Sequence, residues 1–250
     1  MTGQEDLLLF AHLLRKSDKE LDLEHAALLI AEAEYPGLDI ARSIGQLDAL
    51  GALARSCLLR RGLRPFHCPD AVAVIPILDL LYRGLGFRGN TADFYDPRNS
   101  FLNLVLDRRT GIPITLATVL MGVAKRAGVN LDGVSFPGHF LVRGRSESGS
   151  PFFIDPFEGR ILSGEEIRSM WELMVGYPVP LDEKRLAPAS KRQVIARMLN
   201  NLRCLYEVRG DSQRLYQVLS RLAIVAPGEE IKQRLERVKK NPPAPLISIN

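Results

Sequence analysis

Apolar positions recur at helical spacing through the first third of the chain. Leu28, Leu29, Ile30 and Ala33 form one stripe and Ile40, Ile44, Leu47, Leu50 and Leu53 another, so residues 6 to about 85 read as packed helices. Tyr35-Pro36-Gly37 separates the second helix from the third, and Asp39 is placed to cap the third by accepting first-turn amide hydrogens. Gly62 to Pro69 reads as a loop, and the Gly, Asn, Asp and Pro of Gly84 to Asn99 as an ordered turn region. A helix from about Ser100 to Arg108 follows. The next runs from about Ile112 to Ala127, with Leu116, Leu120, Val123 and Ala127 on one face, and Gly128 ends it. Its Thr115, Ala117, Thr118 and Gly122 are small, as suits a helix buried in the domain.

Beyond Gly128 the period shortens to that of strands: Leu131 to Phe136, Phe140 to Arg143 and Phe152 to Ile154, with Ser146 to Ser150 as a polar hairpin loop. Ser163 and Glu166 form a capping-box pair that opens a helix through Trp171 and Met174. Gly176 to Ser190, with its prolines, reads as a linker. Helices return at Lys191 to Val208 and Asp211 to Val225 around an Arg209-Gly210 turn, then at Gly228 to Lys240, and Asn241 to Asn250 reads as a frayed tail. The fold class is therefore α+β, N-terminal helices followed by a small antiparallel sheet and C-terminal helices. The expected division is 1–176 as the main domain, 177–190 as linker, 191–240 as a helical segment and 241–250 as tail.

Composition narrows the classes. With 250 residues, 46% hydrophobic and 25% charged, a sizeable core is expected and global disorder is excluded. The apolar run Ala71 to Leu78 is far shorter than the roughly 20 residues of a membrane span. Glu5 and Asp6 precede the first apolar stretch, the wrong order for a signal peptide, so the mature chain is expected to begin here. Cys57, Cys68 and Cys204 lie far apart in unlike contexts, which suggests a reducing cytoplasm and neither a disulfide framework nor a paired-Cys metal site. The net charge is +4, yet Lys184 to Lys240 holds fourteen Lys or Arg against five acids. That excess fits helices with solvated basic faces; it also fits nucleic acid, but the interleaved aromatics of single-strand readers are missing.

The hairpin carries the sharpest chemistry. With its loop centred on Glu147, His139 falls opposite Asp155, close enough for an imidazole to carboxylate hydrogen bond. A carboxylate on one ring nitrogen fixes the tautomer and raises basicity, as a catalytic His requires. A satisfied structural pair is the competing reading, since buried polar groups are ordinarily bonded. The second polar cluster is Asp96, Arg98, Asn99, Ser100, Asn103, Arg108 and Arg109. Asp96-Pro97 suits a turn, Asn99 a helix cap, and the two arginines the C-terminal helix dipole; alternatively the cluster rims the His139 cleft, with an arginine for a carboxylate ligand. Cys57 and Cys204 sit in apolar helical patterns and read as small core residues, and Cys68 as a loop thiol. Thr115 and Ser100 are hydroxyls near the same region.

Four blocks, Asn99-Ser-Phe-Leu-Asn103, Arg108-Arg-Thr-Gly-Ile-Pro-Ile-Thr115, Pro137-Gly-His-Phe-Leu141 and Asp155-Pro-Phe157, resemble the SirB-type proteins of the transglutaminase-like superfamily. The resemblance covers roughly Tyr35 to Pro227. It implies a papain-like core joined to a tetratricopeptide segment, with Leu199, Leu202, Tyr206, Leu215, Leu219, Leu222 and Pro227 as packing residues of one repeat of roughly 34 residues. Active members place a nucleophilic Cys in a Gly-x-Cys-x-x-x-Ala pattern, then a His and an Asp on successive strands. Here Gly111 and Ala117 match, followed by His139 and Asp155, but Pro113 stands where the Cys is expected, or Ile114 if the alignment moves by one. Neither forms a thiolate, and Pro113 suits a first helical turn.

The function these features imply is a transglutaminase-like module that binds a protein or peptide without turnover, using no cofactor or metal and no membrane or nucleic-acid partner. The alternative is a hydrolase or acyltransferase in which His139 and Asp155 activate a non-Cys nucleophile or water.

Overall fold

The computed structural model describes residues 3–64, 66–177 and 179–240, and the tail expected at 241–250 lies outside them. Four helices lead: α1 (Gly3–Leu13), α2 (Leu23–Glu34), α3 (Ile40–Arg60) and α4 (Asp70–Leu78). The Asp22 and Asp39 carboxylates cap α2 and α3 by accepting from the His25 and Arg42 amides, each worth about 1 kcal/mol. Pro76 lies inside α4, and the chain continues beyond Leu78 as a π-helical turn, Asp79–Gly84.

A parallel pair, β1 (Arg88–Gly89) and β2 (Thr110–Gly111), brackets the turn region and α5 (Leu102–Arg108). α5 begins later than the spacing predicts because Pro97–Ser100 forms a 3-10 turn capped by Asp96. Asn99 is therefore not the cap. α6 (Pro113–Ala127) follows at the centre, with Pro113 in its first turn and Gly128 ending it at φ 87°.

The helices around α6 approach very closely. A Cβ on Gly51 of α3 would lie 2.3 Å from the Cβ of Arg126, and one on Gly122 of α6 would lie 2.7 Å from Glu24 Oε1. Arg126 locks this seam: it donates to Asp48 at 2.7 Å and to the Gly122 carbonyl at 3.0 Å, and pairs with Glu24 at 3.2 Å.

The antiparallel sheet runs in order β3 (Asp132–Val134), β4 (Leu141–Arg145), β5 (Pro151–Asp155), β6 (Arg160–Leu162). Alternation gives it two buried faces. Val142 and Ile154 join the main core, while Leu141 and Phe153 pack with Phe136 and Ile167 beneath α7 (Gly164–Val175). The Ser163–Glu166 capping box opens α7 as the spacing predicts. β6, only three residues long, has no clear signature in the pattern.

The hairpin register differs from the expected one. Val142 faces Ile154, where a loop centred on Glu147 would place Phe152. The loop is 146–150, centred on Ser148: Gly149 donates to the Ser146 carbonyl at φ 82°, and Ser146 donates to the Ser150 carbonyl. Moving the centre by one residue moves each partner by two, so every side chain keeps its face.

α8 (Lys191–Arg209), α9 (Ser212–Val225) and α10 (Glu229–Lys240) close the fold. α8 and α9 turn about Gly210 at φ 66°, and Val194, Ile195, Leu199 and Leu222 share one core with α1 and α2. Ser190 and Gln193 form a second capping box, and the Asp18 carboxylate accepts from the Lys191 and Arg192 amides. The stretch before α8 lies along the sheet: Ala189 donates to the Gly133 carbonyl at 2.8 Å and Arg143 to the Leu186 carbonyl at 3.0 Å. Much of the basic excess is matched internally, Arg214 by Glu34 and Asp211, Arg203 and Arg234 by Glu207. No described helix is long and apolar enough to cross a membrane.

Two glycines of α3 separate packing from propensity. Gly51→Ala is expected to lower stability by about 1–3 kcal/mol through overpacking against Arg126. Gly45→Ala, with no atom within 4 Å of its added Cβ, should raise stability by about 0.5–1 kcal/mol. Urea midpoints of both variants check the pair; equal shifts would refute the close seam.

Candidate functional site

His139 lies in the turn that leads into β4 rather than in the strand itself, and Asp155 is the last residue of β5. In the observed register the two are a diagonal pair on one face, a separation that an imidazole spans. His139 Nε2 and Asp155 Oδ1 are 2.9 Å apart. The same oxygen accepts from the Phe157 amide at 2.7 Å and the Glu158 amide at 3.4 Å, so the carboxylate organises the Asp155-Pro156-Phe157 turn as well as the imidazole.

That turn is clamped from behind. The Tyr82 hydroxyl donates to the Pro156 carbonyl at 2.6 Å, Gly89 donates to the Phe157 carbonyl at 3.0 Å, and a Cβ on Gly89 would meet the Phe157 ring at 2.4 Å. Burial, helped by the Asp155 charge, raises the Tyr82 hydroxyl far above its ordinary range, which keeps it a neutral donor. Burial also pushes the Asp155 carboxyl up, but the hydrogen bond and charge of His139 and the two amides outweigh it and hold the group below the usual value.

From the front, α8 fixes the His139 turn. Arg197 donates to Ser135 Oγ at 2.9 Å, to the Phe136 carbonyl at 2.8 Å and to the His139 carbonyl at 2.8 Å. Its guanidinium carbon lies 5.9 Å from the centre of the Phe140 ring, and burial draws its pKa below the usual arginine range.

His139 opens into a cleft of about 640 Å³, within the range of small-molecule sites. Asp96, Ser100, Pro113 and Ile114 line it with His139. The other members of the polar cluster do not. Asn99 is fully buried and holds the turn region through the Asp93 and Phe94 carbonyls and the Asn90 side chain. Arg98 and Arg108 hold the Asp96 carboxylate, Arg109 donates to the Leu85 carbonyl, and Asn103 is buried on α5. Thr115 is wholly buried and donates to the Asn99 and Ile112 carbonyls, which removes it as a nucleophile.

The opposite wall went unread in the sequence. Arg197, Asn201, Cys204, Leu205, Val208 and Arg209 of α8 line the cleft, as do Phe94 and Tyr95. Cys204 is accordingly exposed and not the small core residue that its apolar surroundings suggest. The available signal was helical spacing: 197, 201, 204, 205 and 208 share a face opposite the core stripe of Val194, Met198, Leu202 and Tyr206.

A profile of the transglutaminase-like superfamily matches residues 42–200. The chain belongs to the transglutaminase-like superfamily. Among relatives, a UPF0162 protein of Xylella fastidiosa is 37% identical over 234 residues, covering 92% of this chain and 80% of that protein. A UPF0162 protein of Vibrio cholerae is 36% identical over 104 residues, 42% of this chain and 37% of the relative. Human F-box only protein 21 is 34% identical over 148 residues, 56% of this chain and 22% of that protein. No solved structure matches.

The Asp155 contacts carry a pH signature. Because its folded pKa lies below the unfolded value near 3.8, Asp155 contributes stability that is fully present above that value and lost as pH falls through the folded one. Asp155→Asn is expected to cost about 1–3 kcal/mol at neutral pH and to flatten the loss of stability below about pH 4. Urea melts at pH 7 and pH 3 test this; an undiminished acid slope in the variant would place the titrating group elsewhere.

Proposed function

We propose that this chain is a transglutaminase-like protein of SirB type that has lost the superfamily's nucleophile and uses the cleft beside His139 to hold a peptide without cleaving it. The observation that carries this reading is Pro113: it occupies the first turn of α6 and lines the cleft with His139, where active members present a thiol. A proline there has no side-chain nucleophile. It also lacks the amide hydrogen that could have served an oxyanion. The reading takes α8 and α9 as a single tetratricopeptide-type hairpin, and one repeat of this kind needs a surface on which to bury itself. Here it packs on α1 and α2 and supplies one cleft wall.

Two experiments test the reading. Wild-type protein is expected to leave a capped glutamine peptide and its aryl ester intact above the buffer rate; turnover that disappears in His139→Ala would overturn the binding role and favour a hydrolase using water or the Ser100 hydroxyl. A Pro113→Cys variant is expected to present a thiol that titrates below the ordinary value of about 8.5, because it would stand at a helix N-terminus in the cleft that His139 lines. Alkylation rate against pH measures it. A thiol with ordinary titration, unaltered by adding His139→Ala, would show that Pro113 does not occupy the nucleophile's place.

A further inference from the structure

The charges lining the cleft are unbalanced. Among the described residues one carboxylate lines it, that of Asp96, and it is already held by Arg98 at 2.9 Å and Arg108 at 3.2 Å. Its two lining guanidiniums, Arg197 and Arg209, have no acidic partner among the described residues. Arg197 donates only to a hydroxyl and two carbonyls, and Arg209 only to the Tyr95 carbonyl at 3.1 Å. Burial disfavours the charged form of Arg197 and no neighbouring carboxylate offsets it. The N-terminus of α6, which has no side-chain cap, brings its partial positive charge to the same cleft.

Between these charges the walls are apolar. Ile112, Ile114, Phe140 and Leu205 line the interior, and at the mouth Tyr95 is 74% and Val208 89% exposed. Arg209, bonded only to one carbonyl, has spare donors, and a carboxylate delivered to it gains charge-assisted hydrogen bonds. An apolar side chain next to that carboxylate would cover Tyr95 and Val208.

From this we infer that the ligand of the cleft is an acidic peptide segment, in which an Asp or Glu side chain meets Arg209 and a neighbouring aliphatic or aromatic residue lies on Tyr95 and Val208 beside it, while Arg197, twelve residues back and so about 18 Å along α8, adds its positive charge to the same cleft. The inference rests on the peptide-binding reading and names its substrate class. The carboxylate is assigned to a side chain rather than to a chain terminus, an assignment that peptides capped at both ends test directly.

The test uses the unmodified protein and a fluorescent, N-acetylated, C-amidated peptide with Glu between Leu and Phe, alongside its Gln counterpart. Fluorescence anisotropy is expected to show the Glu peptide binding about tenfold or more tightly than the Gln peptide, with the difference shrinking as salt rises. Arg209→Gln should remove most of that difference. Arg55→Gln, which changes net charge equally on the exposed surface of α3, should leave it unchanged. Equal binding of the two capped peptides would overturn the acidic preference and leave the peptide-binding role standing. Binding of neither would overturn both. Tight binding of the Gln peptide only when its C-terminus is left free would overturn the assignment to a side-chain carboxylate, as would an Arg55 variant that behaves like the Arg209 variant.

Discussion

Twelve of the fifteen residues of α6 are buried, and a helix enclosed to that degree constrains everything laid against it. Wherever another element crosses it at short range the contact has to be small, as at Gly122 under Glu24 or at Gly51 of α3 over Arg126. Its polar groups have to be satisfied internally, which is why Thr115 and Thr118 return their hydroxyls to carbonyls one turn back. Only its first residues reach the cleft, so the identity of Pro113 and Ile114 decides what chemistry the helix offers there. The sheet and the C-terminal helices are arranged around this fixed rod, and the position of His139 follows from theirs.

The second constraint is electrostatic. The basic residues of α8 and α9 reach toward carbonyls and carboxylates of α2 and of the connection that precedes it: Lys191 to the Leu21 carbonyl, Arg192 to the Leu14 and Lys16 carbonyls, Arg214 to Glu34. A segment that looks like a basic tail in the linear count is thus a complementary surface, drawn onto a net acidic remainder. Arg221 is the deepest case, buried near Asp6 and Glu32 and lying 5.8 Å from the centre of the Phe10 ring. Docking of this kind brings α8 over the His139 turn. Arg197 then ties the Phe136 and His139 carbonyls to the helix.

Helix positions, their caps and the existence of the hairpin were legible because each is set by residues close together in sequence. Asp39, Gly128 and the Ser163–Glu166 box act within one turn of themselves. The His139–Asp155 contact was legible for a less direct reason: the loop centre was placed one residue early, but the shift preserved the face, and a diagonal pair bonds nearly as well as an opposed one. For the polar cluster from Asp96 to Arg109 the sequence leaves two readings open, a folded turn region and a rim of the His139 cleft, and only Asp96 and Ser100 line the cleft. Density of polar residues in sequence does not say which way they point, and most of these are spent on holding the 90–99 turn together. The wall from α8 was missed because it is assembled across nearly sixty residues of chain. Its second apolar face, Leu205 and Val208, was visible only as residues that a single core stripe does not need.

The His139 imidazole and Asp155 carboxylate do not by themselves argue for catalysis. Asp155 Oδ1 accepts from two backbone amides of its own turn, so a carboxylate at this position serves folding whether or not a reaction occurs. Once it is buried there, a donor from His139 lowers the cost of its charge, and a lone buried carboxylate would be the more expensive state. Pro113 is equally explicable as a first-turn residue of α6. What stability leaves unexplained is the open space between them and α8. A molecule that needed only to fold would gain from closing a cleft of about 640 Å³ over exposed Tyr95 and Val208, at roughly 25 cal/mol per Å² of apolar surface removed from water. That the walls stand apart, with two arginines unpaired by acid, is the feature that folding does not require and binding does.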